Sequence, residues 1–166
     1  MNIINITMKN TFRNANEAYE YLHDKIIREG VDFADTKALF NVGFYITDPM
    51  DNKIINRERD WKYDYADAEW KWYLSEDNNI NKLGDIYGKI PQIWKNMANE
   101  FGEVNSNYGW QWGRNDQIDY VVNLLENNKD TRQAAISIYD CKEHNTYAND
   151  TPCTYAVQFT ILHGRL

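Results

Sequence analysis

Cys153 is the residue of this sequence whose type and position best suit covalent chemistry. It follows Pro152, and larger apolar residues then recur at every second position, a pattern that predicts a β-strand: Tyr155, Val157, Phe159 and Ile161. A thiol at the start of a strand is held by the sheet and could act as a nucleophile in one fixed direction. The alternative is that Cys153 is a small buried apolar residue, as most free cysteines are.

Glu69 is the second candidate for chemistry, because it borders an aromatic stripe. The stripe recurs at helical spacing and predicts a helix over residues 57–74: Trp61, Tyr65, Ala68 and Trp72. A carboxylate at the edge of such a face is either solvated at the rim or held in a pocket. In a pocket it would be suited to proton transfer.

The N-terminal part of the chain predicts one helix and one strand. Asn16 is expected to cap a helix that ends at Gly30. Its inward face has helical spacing: Ala18, Tyr19, Leu22 and Ile26. Alternation of Val42, Phe44 and Ile46 then predicts a strand, which Asp48-Pro49 ends.

The segments between Glu69 and Cys153 predict two loops, two helices and a strand. Residues 78–89 and the aromatic-rich residues 103–112 are expected to be loops, the second of them a binding loop. A short helix should start near Pro91, with Trp94 facing inward. Residues 118–125 predict a further helix that closes at Asn127-Asn128, followed by a strand over residues 135–138.

Composition narrows the class of protein. With 166 residues the chain is expected to form a single domain. A net charge of −7 gives no basic footprint for nucleic acid, and no segment reads as a signal peptide or a membrane span. Cys141 and Cys153 therefore read as reduced thiols in a cytoplasm. The three histidines, at positions 23, 144 and 163, lack zinc-site spacing, so no metal is expected.

The cysteine strand resembles the nucleophile strand of thymidylate synthases and of the phage deoxycytidylate hydroxymethylases. The resemblance consists of Pro152-Cys153 with Gln158 five positions later, followed by Phe159. Thymidylate synthases usually have histidine after the cysteine, whereas Thr154 here looks more like the hydroxymethylases. The resemblance implies that Cys153 is the nucleophile and that Gln158 contacts the substrate.

Two other blocks resemble the same family. Glu-Trp-Lys-Trp-Tyr-Leu at residues 69–74 is similar to the family's Glu-x-x-Trp-Phe-Leu helix, whose glutamate orders water and moves protons. Ile93-Trp94 resembles the pair that lines the folate pocket. Without the resemblance, Ile93 and Trp94 could equally be two core residues.

The segment Asn-Ser-Asn-Tyr-Gly-Trp at residues 105–110 resembles the hydroxymethylase form of a family loop. It implies that the Tyr108 hydroxyl lies close to the nucleophile. Gln111-Trp112 is closer to the thymidylate synthases, but Gly113 stands where their arginine would be. In Asp-Thr-Arg-Gln at residues 130–133, Arg132 matches an arginine that binds the nucleotide phosphate of a partner subunit, and Gln133 replaces a second arginine.

The resemblance implies an α+β fold with a mixed sheet and flanking helices. It is expected to be a single incomplete domain over residues 1–166, because the hairpin at His163-Gly164 has only Arg165-Leu166 as its return strand. The sequence is therefore interpreted as the N-terminal portion of such an enzyme, truncated before its C-terminal strands and helices. The residue that distinguishes dCMP from dUMP would lie beyond Leu166.

The implied reaction is transfer of one carbon from 5,10-methylene-tetrahydrofolate to C5 of a pyrimidine deoxynucleotide monophosphate, dCMP or dUMP, through a covalent bond between Cys153 and C6. The expected product is the 5-hydroxymethyl nucleotide. The enzyme is expected to be a homodimer in the cytoplasm, or in the host cytoplasm if a phage encodes the chain. One alternative is a thymidylate synthase that methylates dUMP. The other is an inactive fragment that pairs with a separately encoded half.

Overall fold

The computed structural model describes residues 9–142 and 150–166. The described chain combines helices with short strand pairs, one parallel and two antiparallel, which confirms the α+β class. His144 lies outside the described residues. Two compact units divide the chain, Met1–Lys62 and Tyr63–Leu166.

The first unit is built around one long helix. Its elements are β1 (Thr11–Phe12), α1 (Ala15–Glu29), β2 (Val31–Phe33), β3 (Thr36–Ala38) and β4 (Tyr45–Ile46). β1 pairs in parallel with β4, and β2 pairs antiparallel with β3. Phe12 is buried between the rings of Tyr21 and Phe44.

Two predictions for this unit need correction. Helix α1 is capped by Asn14, whose side-chain oxygen accepts the amide of Glu17 at 2.9 Å. The side chain of Asn16 instead accepts the amide of Ile55 at 2.9 Å, so it ties a loop and not the helix start. The predicted strand over residues 42–46 is reduced to β4, with Phe44 41% exposed. The predicted end of α1 at Gly30 is confirmed.

The second unit holds most of the predicted chemistry. Its elements are α2 (Tyr63–Leu74), α3 (Ile80–Tyr87), α4 (Gln92–Met97), α5 (Tyr108–Gly113), a 3₁₀ turn (Arg114–Asp116), α6 (Gln117–Asn127), β5 (Ala135–Ser137) and β6 (Ala156–Gln158). One apolar cluster gathers α2 and α3 around the fully buried Trp72. A second cluster packs α6 against the β5–β6 pair. α6 and β5 lie where the sequence predicts them.

The predicted helix over residues 57–74 begins later, at Tyr63. The side-chain oxygen of Asn56 accepts the amides of Glu58 and Arg59, which holds a turn there. Asp60 then has φ +46°, a left-handed conformation that a helix does not accommodate. The predicted stripe is confirmed over its helical part, since Ala68 and Trp72 are buried.

Both predicted loops contain a helix. Residues 78–89 form α3, which Asn79 caps and Gly88 ends with φ +82°, because Ile80 and Leu83 bury themselves in the first cluster. The second half of residues 103–112 belongs to α5, where the side-chain oxygen of Asn107 accepts the amide of Trp110 at 2.8 Å. Asn107 itself is fully buried and donates to the carbonyl of Asp77. The final predicted strand, over residues 155–161, is limited to β6, and Leu162 and Arg165 form a separate bridge.

Gly109 sets how closely α5 approaches α2. A Cβ atom at this position would lie 1.5 Å from the carbonyl oxygen of Tyr73. That neighbour is backbone, so it cannot rotate away as a side chain would. Only a residue without a side chain lets these two helices touch at this point.

We expect Gly109→Ala to lower the free energy of unfolding by about 3 kcal/mol or more, because α5 must move off α2. Urea denaturation followed by tryptophan fluorescence measures this change. Gly43→Ala is the matched control, since a Cβ there meets nothing within 4 Å, and it should change the stability by less than about 0.5 kcal/mol. Equal stabilities of the two variants would contradict the close-approach argument.

Candidate active site

A cleft of about 510 Å³ in the second unit brings together most of the predicted site residues. Its walls come from α2, α4, residues 106–108 and residues 150–153. The predicted residues that line it are Cys153, Glu69, Tyr108, Ile93 and Trp94. Tyr73, Met97, Ser106, Asp150 and Thr151 complete the lining.

Cys153 is exposed, so its interpretation as a buried packing residue is wrong. It lies three residues before β6, on an extended segment and not within the strand itself. Its amide donates to the hydroxyl of Tyr108 at 3.0 Å, and the amide of Thr154 approaches the same oxygen at 3.4 Å. The predicted proximity of the Tyr108 hydroxyl to the cysteine therefore takes the form of a bond to its backbone.

The residues just before Cys153 are also fixed. The hydroxyl of Tyr139 donates to the carbonyl of Pro152 at 2.6 Å. The carboxylate of Asp150, which is 8% exposed, accepts the amide of Ser106 at 2.6 Å and also its hydroxyl. The thiol thus lies on a segment held from both sides, which limits the directions that it can take.

The ring of Tyr108 is held by aromatic neighbours. It meets Tyr73 edge to face with ring centres 5.6 Å apart and stacks on Trp112 at 6.2 Å. Such ring pairs contribute beyond the area that they bury. The hydroxyl therefore has a fixed position from which to accept the Cys153 amide.

Glu69 belongs to a chain of hydrogen bonds that crosses the cleft wall. The hydroxyl of Tyr65, one helical turn earlier on α2, donates to the Glu69 carboxylate at 2.6 Å. The indole N–H of Trp94 on α4 donates in turn to the Tyr65 oxygen, also at 2.6 Å. Glu69 is half-buried and lines the cleft, which corresponds to the pocket alternative for this residue.

The tyrosines on either side of Glu69 are poor acids. Burial, and then the bond to the Glu69 carboxylate, raises the pKa of Tyr65 well above its usual value. Burial, with the charge of Glu69 as the next cause, raises the pKa of Tyr73 in the same direction. Both hydroxyls therefore keep their protons at neutral pH and can act as donors.

Arg132 and Gln158 do not line this cleft. Arg132 is exposed on the turn before β5, and Gln158 is exposed in β6 opposite Ala135. Among the described residues of the lining the charged groups are Glu69 and Asp150, with no lysine or arginine. The charged side chains that the described residues contribute to the cleft are therefore all acidic.

Comparison with known proteins shows the family of the chain. The family model described as "Thymidylate synthase" matches residues 17–166. The chain belongs to the thymidylate synthase family. The deoxycytidylate 5-hydroxymethyltransferase of Enterobacteria phage T4 is 35% identical over 141 residues, which cover 79% of this chain and 53% of that protein. The thymidylate synthase of Bacillus atrophaeus is 29% identical over 122 residues, covering 68% of this chain and 52% of that protein.

A solved structure shows the same fold. The thermostable thymidylate synthase A of Bacillus subtilis matches with a TM-score of 0.56 and 24% sequence identity, over 90% of this chain and 60% of that chain. The chain thus spans about half the length of the curated relatives that it matches.

The described part of the chain shows neither a membrane-spanning helix nor a group of metal ligands. Over residues 9–142 and 150–166, no helix has the length and apolar character needed to cross a membrane. The same residues contain no group of three or more histidine, cysteine, aspartate or glutamate side chains that could hold a metal ion.

Sequence reasoning missed Tyr65, Ser106 and Asp150 as parts of this site. Tyr65 had a usable signal, since it precedes Glu69 by four positions on one helix face. Ser106 and Asp150 had none, because 44 positions separate them and only the tertiary fold brings them together.

We expect Tyr108→Phe to accelerate amide hydrogen exchange of Cys153 and Thr154 by about five- to tenfold, the value of one lost hydrogen bond. Exchange measured by NMR or mass spectrometry checks this. Tyr155→Phe is the control, because Tyr155 lies next to the same segment but is 74% exposed. Similar exchange in both variants would mean that the Tyr108 hydroxyl does not hold the cysteine segment.

Proposed function

We propose that this chain carries the nucleophile portion of a pyrimidine deoxynucleotide C5 one-carbon transferase. The observation that supports this best is the single cleft lined by Cys153, Glu69, Tyr108, Ile93 and Trp94. The sequence predicts each of these as a site residue, and they come from segments up to 84 positions apart. Membership of the thymidylate synthase family supports the same chemistry.

Cys153 would supply covalent catalysis. C5 of a pyrimidine is a weak nucleophile, but addition of a thiolate at C6 places electron density on C5 as an enolate or enamine. C5 then bonds to the incoming methylene carbon and loses its proton, and the bond between that carbon and its donor nitrogen breaks to leave an exocyclic methylene. Water adds to this methylene as the thiolate leaves C6. The exposed position of Cys153 gives a substrate ring access to the sulfur.

Glu69 would act at the proton transfers of this sequence. Its carboxylate faces the same cleft as Cys153, so one bound ring can meet both groups. A carboxylate within hydrogen-bond reach can accept or return a proton directly or through one water. Tyr108 would keep the cysteine segment in place while the thiolate adds to C6 and while C5 bonds to the one-carbon unit.

Ile93 and Trp94 would hold the pteridine of 5,10-methylene-tetrahydrofolate. Ile93 is 57% exposed and Trp94 is half-buried, so α4 presents an apolar edge to the cleft that suits a flat heteroaromatic ring. When bound, the folate would supply the one-carbon unit.

We further propose a homodimer in which Arg132 acts on the partner's site. The cleft lining has no cation of its own among the described residues, whereas a thiol needs nearby positive charge to ionise at neutral pH. Arg132 is exposed and therefore available to a second protomer, where it would contact the nucleotide phosphate. Gln158, also exposed on β6, would contact the substrate from the sheet.

The product that we propose is the 5-hydroxymethyl nucleotide, formed from dCMP or dUMP when water attacks the exocyclic methylene. Thr154 and the Asn-Ser-Asn-Tyr-Gly-Trp segment favour this outcome over methylation, as does the 35% identity to the phage T4 hydroxymethyltransferase. Attack by hydride would give the 5-methyl product of a thymidylate synthase instead. Analysis of the product by mass spectrometry separates the two.

We expect Cys153→Ser to abolish exchange of the C5 hydrogen of dCMP or dUMP with deuterated water. This exchange requires reversible addition of the thiolate at C6 and does not need folate. NMR of the nucleotide measures it directly. Cys141→Ser is the matched control, because Cys141 is the other exposed cysteine and should leave exchange unchanged.

The assay is run on the chain alone and on the chain mixed with the C-terminal portion of the phage T4 relative. Exchange only in the mixture would support a chain that needs a separate partner half. Exchange that survives Cys153→Ser in either sample rules out this nucleophile.

We expect Glu69→Gln to slow C5 exchange by about a hundredfold while the nucleotide Kd changes by less than about threefold, because the amide cannot carry the proton. Exchange kinetics and isothermal titration measure the two quantities separately. An equal loss in both would assign Glu69 a structural role.

A further inference from the structure

We propose that Tyr65 is a positioning residue that fixes the carboxylate of Glu69 and the indole of Trp94 relative to each other. Nothing in the sequence comparison assigns it a role. The inference rests on the proposed function, in that Glu69 and Trp94 are taken as the proton-transfer and folate-side residues. Tyr65 itself does not line the cleft and acts through these two neighbours.

The direction of each hydrogen bond follows from donor and acceptor counts. An indole nitrogen can only donate, so the bond between Trp94 and Tyr65 must use a lone pair of the tyrosine oxygen. The hydroxyl of Tyr65 has one proton, and it donates this proton in the bond to the carboxylate oxygen of Glu69. The chain therefore runs in one direction, from Trp94 through Tyr65 to Glu69.

The packing around Tyr65 keeps this chain in register. Its ring meets Tyr87 on α3 edge to face, with centres 5.4 Å apart, and it packs against the cluster around Trp72. Trp94 in turn meets the fully buried Trp72 edge to face at 5.2 Å. The hydroxyl also keeps its proton, because burial and the hydrogen bond to Glu69 raise the pKa of Tyr65 well above its usual value.

Tyr65 therefore links two walls of the cleft through hydrogen bonds. Glu69 belongs to α2 and Trp94 to α4, and Tyr65 bonds the functional groups of both. One carboxylate oxygen, Oε1, is used by Tyr65. The bond therefore restricts the rotation of the carboxylate at the cleft wall.

We test this with Tyr65→Phe, which keeps the ring and removes only the hydroxyl. We expect C5 exchange to slow by about tenfold with the nucleotide KM unchanged, the effect of losing one hydrogen bond to a charged group. In the double variant with Glu69→Gln, exchange should be no slower than with Glu69→Gln alone. Tyr87→Phe is the control, because its hydroxyl has only an exposed 3.4 Å contact with Asp64, and it should exchange as wild type.

A second readout does not depend on turnover. In protein labelled with ¹⁵N-tryptophan, the Trp94 indole signal, assigned by Trp94→Phe, should shift on Glu69→Gln. The same substitution should leave that signal unchanged in a Tyr65→Phe background. Thermal unfolding confirms that each variant is folded.

The two readouts separate the possible failures. Wild-type protein that shows no C5 exchange in any sample overturns the proposed function, and the indole signal then decides the role of Tyr65. If the Trp94 indole signal does not shift on Glu69→Gln in otherwise wild-type protein, the positioning role of Tyr65 is wrong. A Tyr65→Phe effect on exchange that adds to the effect of Glu69→Gln overturns that role as well.

Discussion

The backbone contact between Gly109 and Tyr73 is the constraint on which the arrangement of the site depends. It lets α5 approach α2 to a distance that excludes any side chain at position 109. The ring of Tyr73 and the ring of Tyr108, the residue before Gly109, then meet edge to face. Because Tyr108 carries the hydroxyl that accepts the Cys153 amide, the helix contact also sets the position of the cysteine segment.

Polar contacts order the cysteine segment. β6 begins at Ala156, and among the described residues no strand pairs with Cys153. Contacts with Tyr108, Tyr139 and the Ser106–Asp150 pair hold the segment there. The buried carboxylate of Asp150 is not left without partners there, because it accepts two hydrogen bonds from Ser106.

Charge in the cleft is unbalanced within a single chain. Glu69 and Asp150 contribute carboxylates to the lining, and the described lining residues offer no cation to stabilise a thiolate. A substrate that bears a phosphate would add further negative charge. An arginine supplied by a second protomer resolves both problems together, which is why the proposed role of Arg132 depends on a dimer.

The proposed function and the role of Tyr65 differ in what supports them. The proposed reaction is supported by family membership combined with the residues of one cleft. The role of Tyr65 follows from two short hydrogen bonds and the fixed donor character of an indole. Sequence similarity contributed nothing to it, since the spacing of Tyr65 and Glu69 is common on helices and its meaning depends on Trp94, 29 positions away.

Features that depend on a local pattern of residues could be predicted from the amino-acid sequence. The end of α1 at Gly30, the buried face of α2, the position of α6 and the strand β5 all follow from caps and from apolar spacing within a few residues. The choice of Cys153, Glu69, Tyr108, Ile93 and Trp94 as partners came from motifs with the same local character.

Features that depend on contacts between distant segments became visible only in the folded chain. Helix α3 forms within the Asn-rich residues 78–89 because Ile80 and Leu83 become buried in the cluster around Trp72. This burial outweighs the weak helix propensity of Asn81 and Gly84. β1 and β4 find each other across more than 30 positions, and so do Asp150 and Ser106. Contacts of this range depend on the whole packed chain, and no spacing within one segment encodes them.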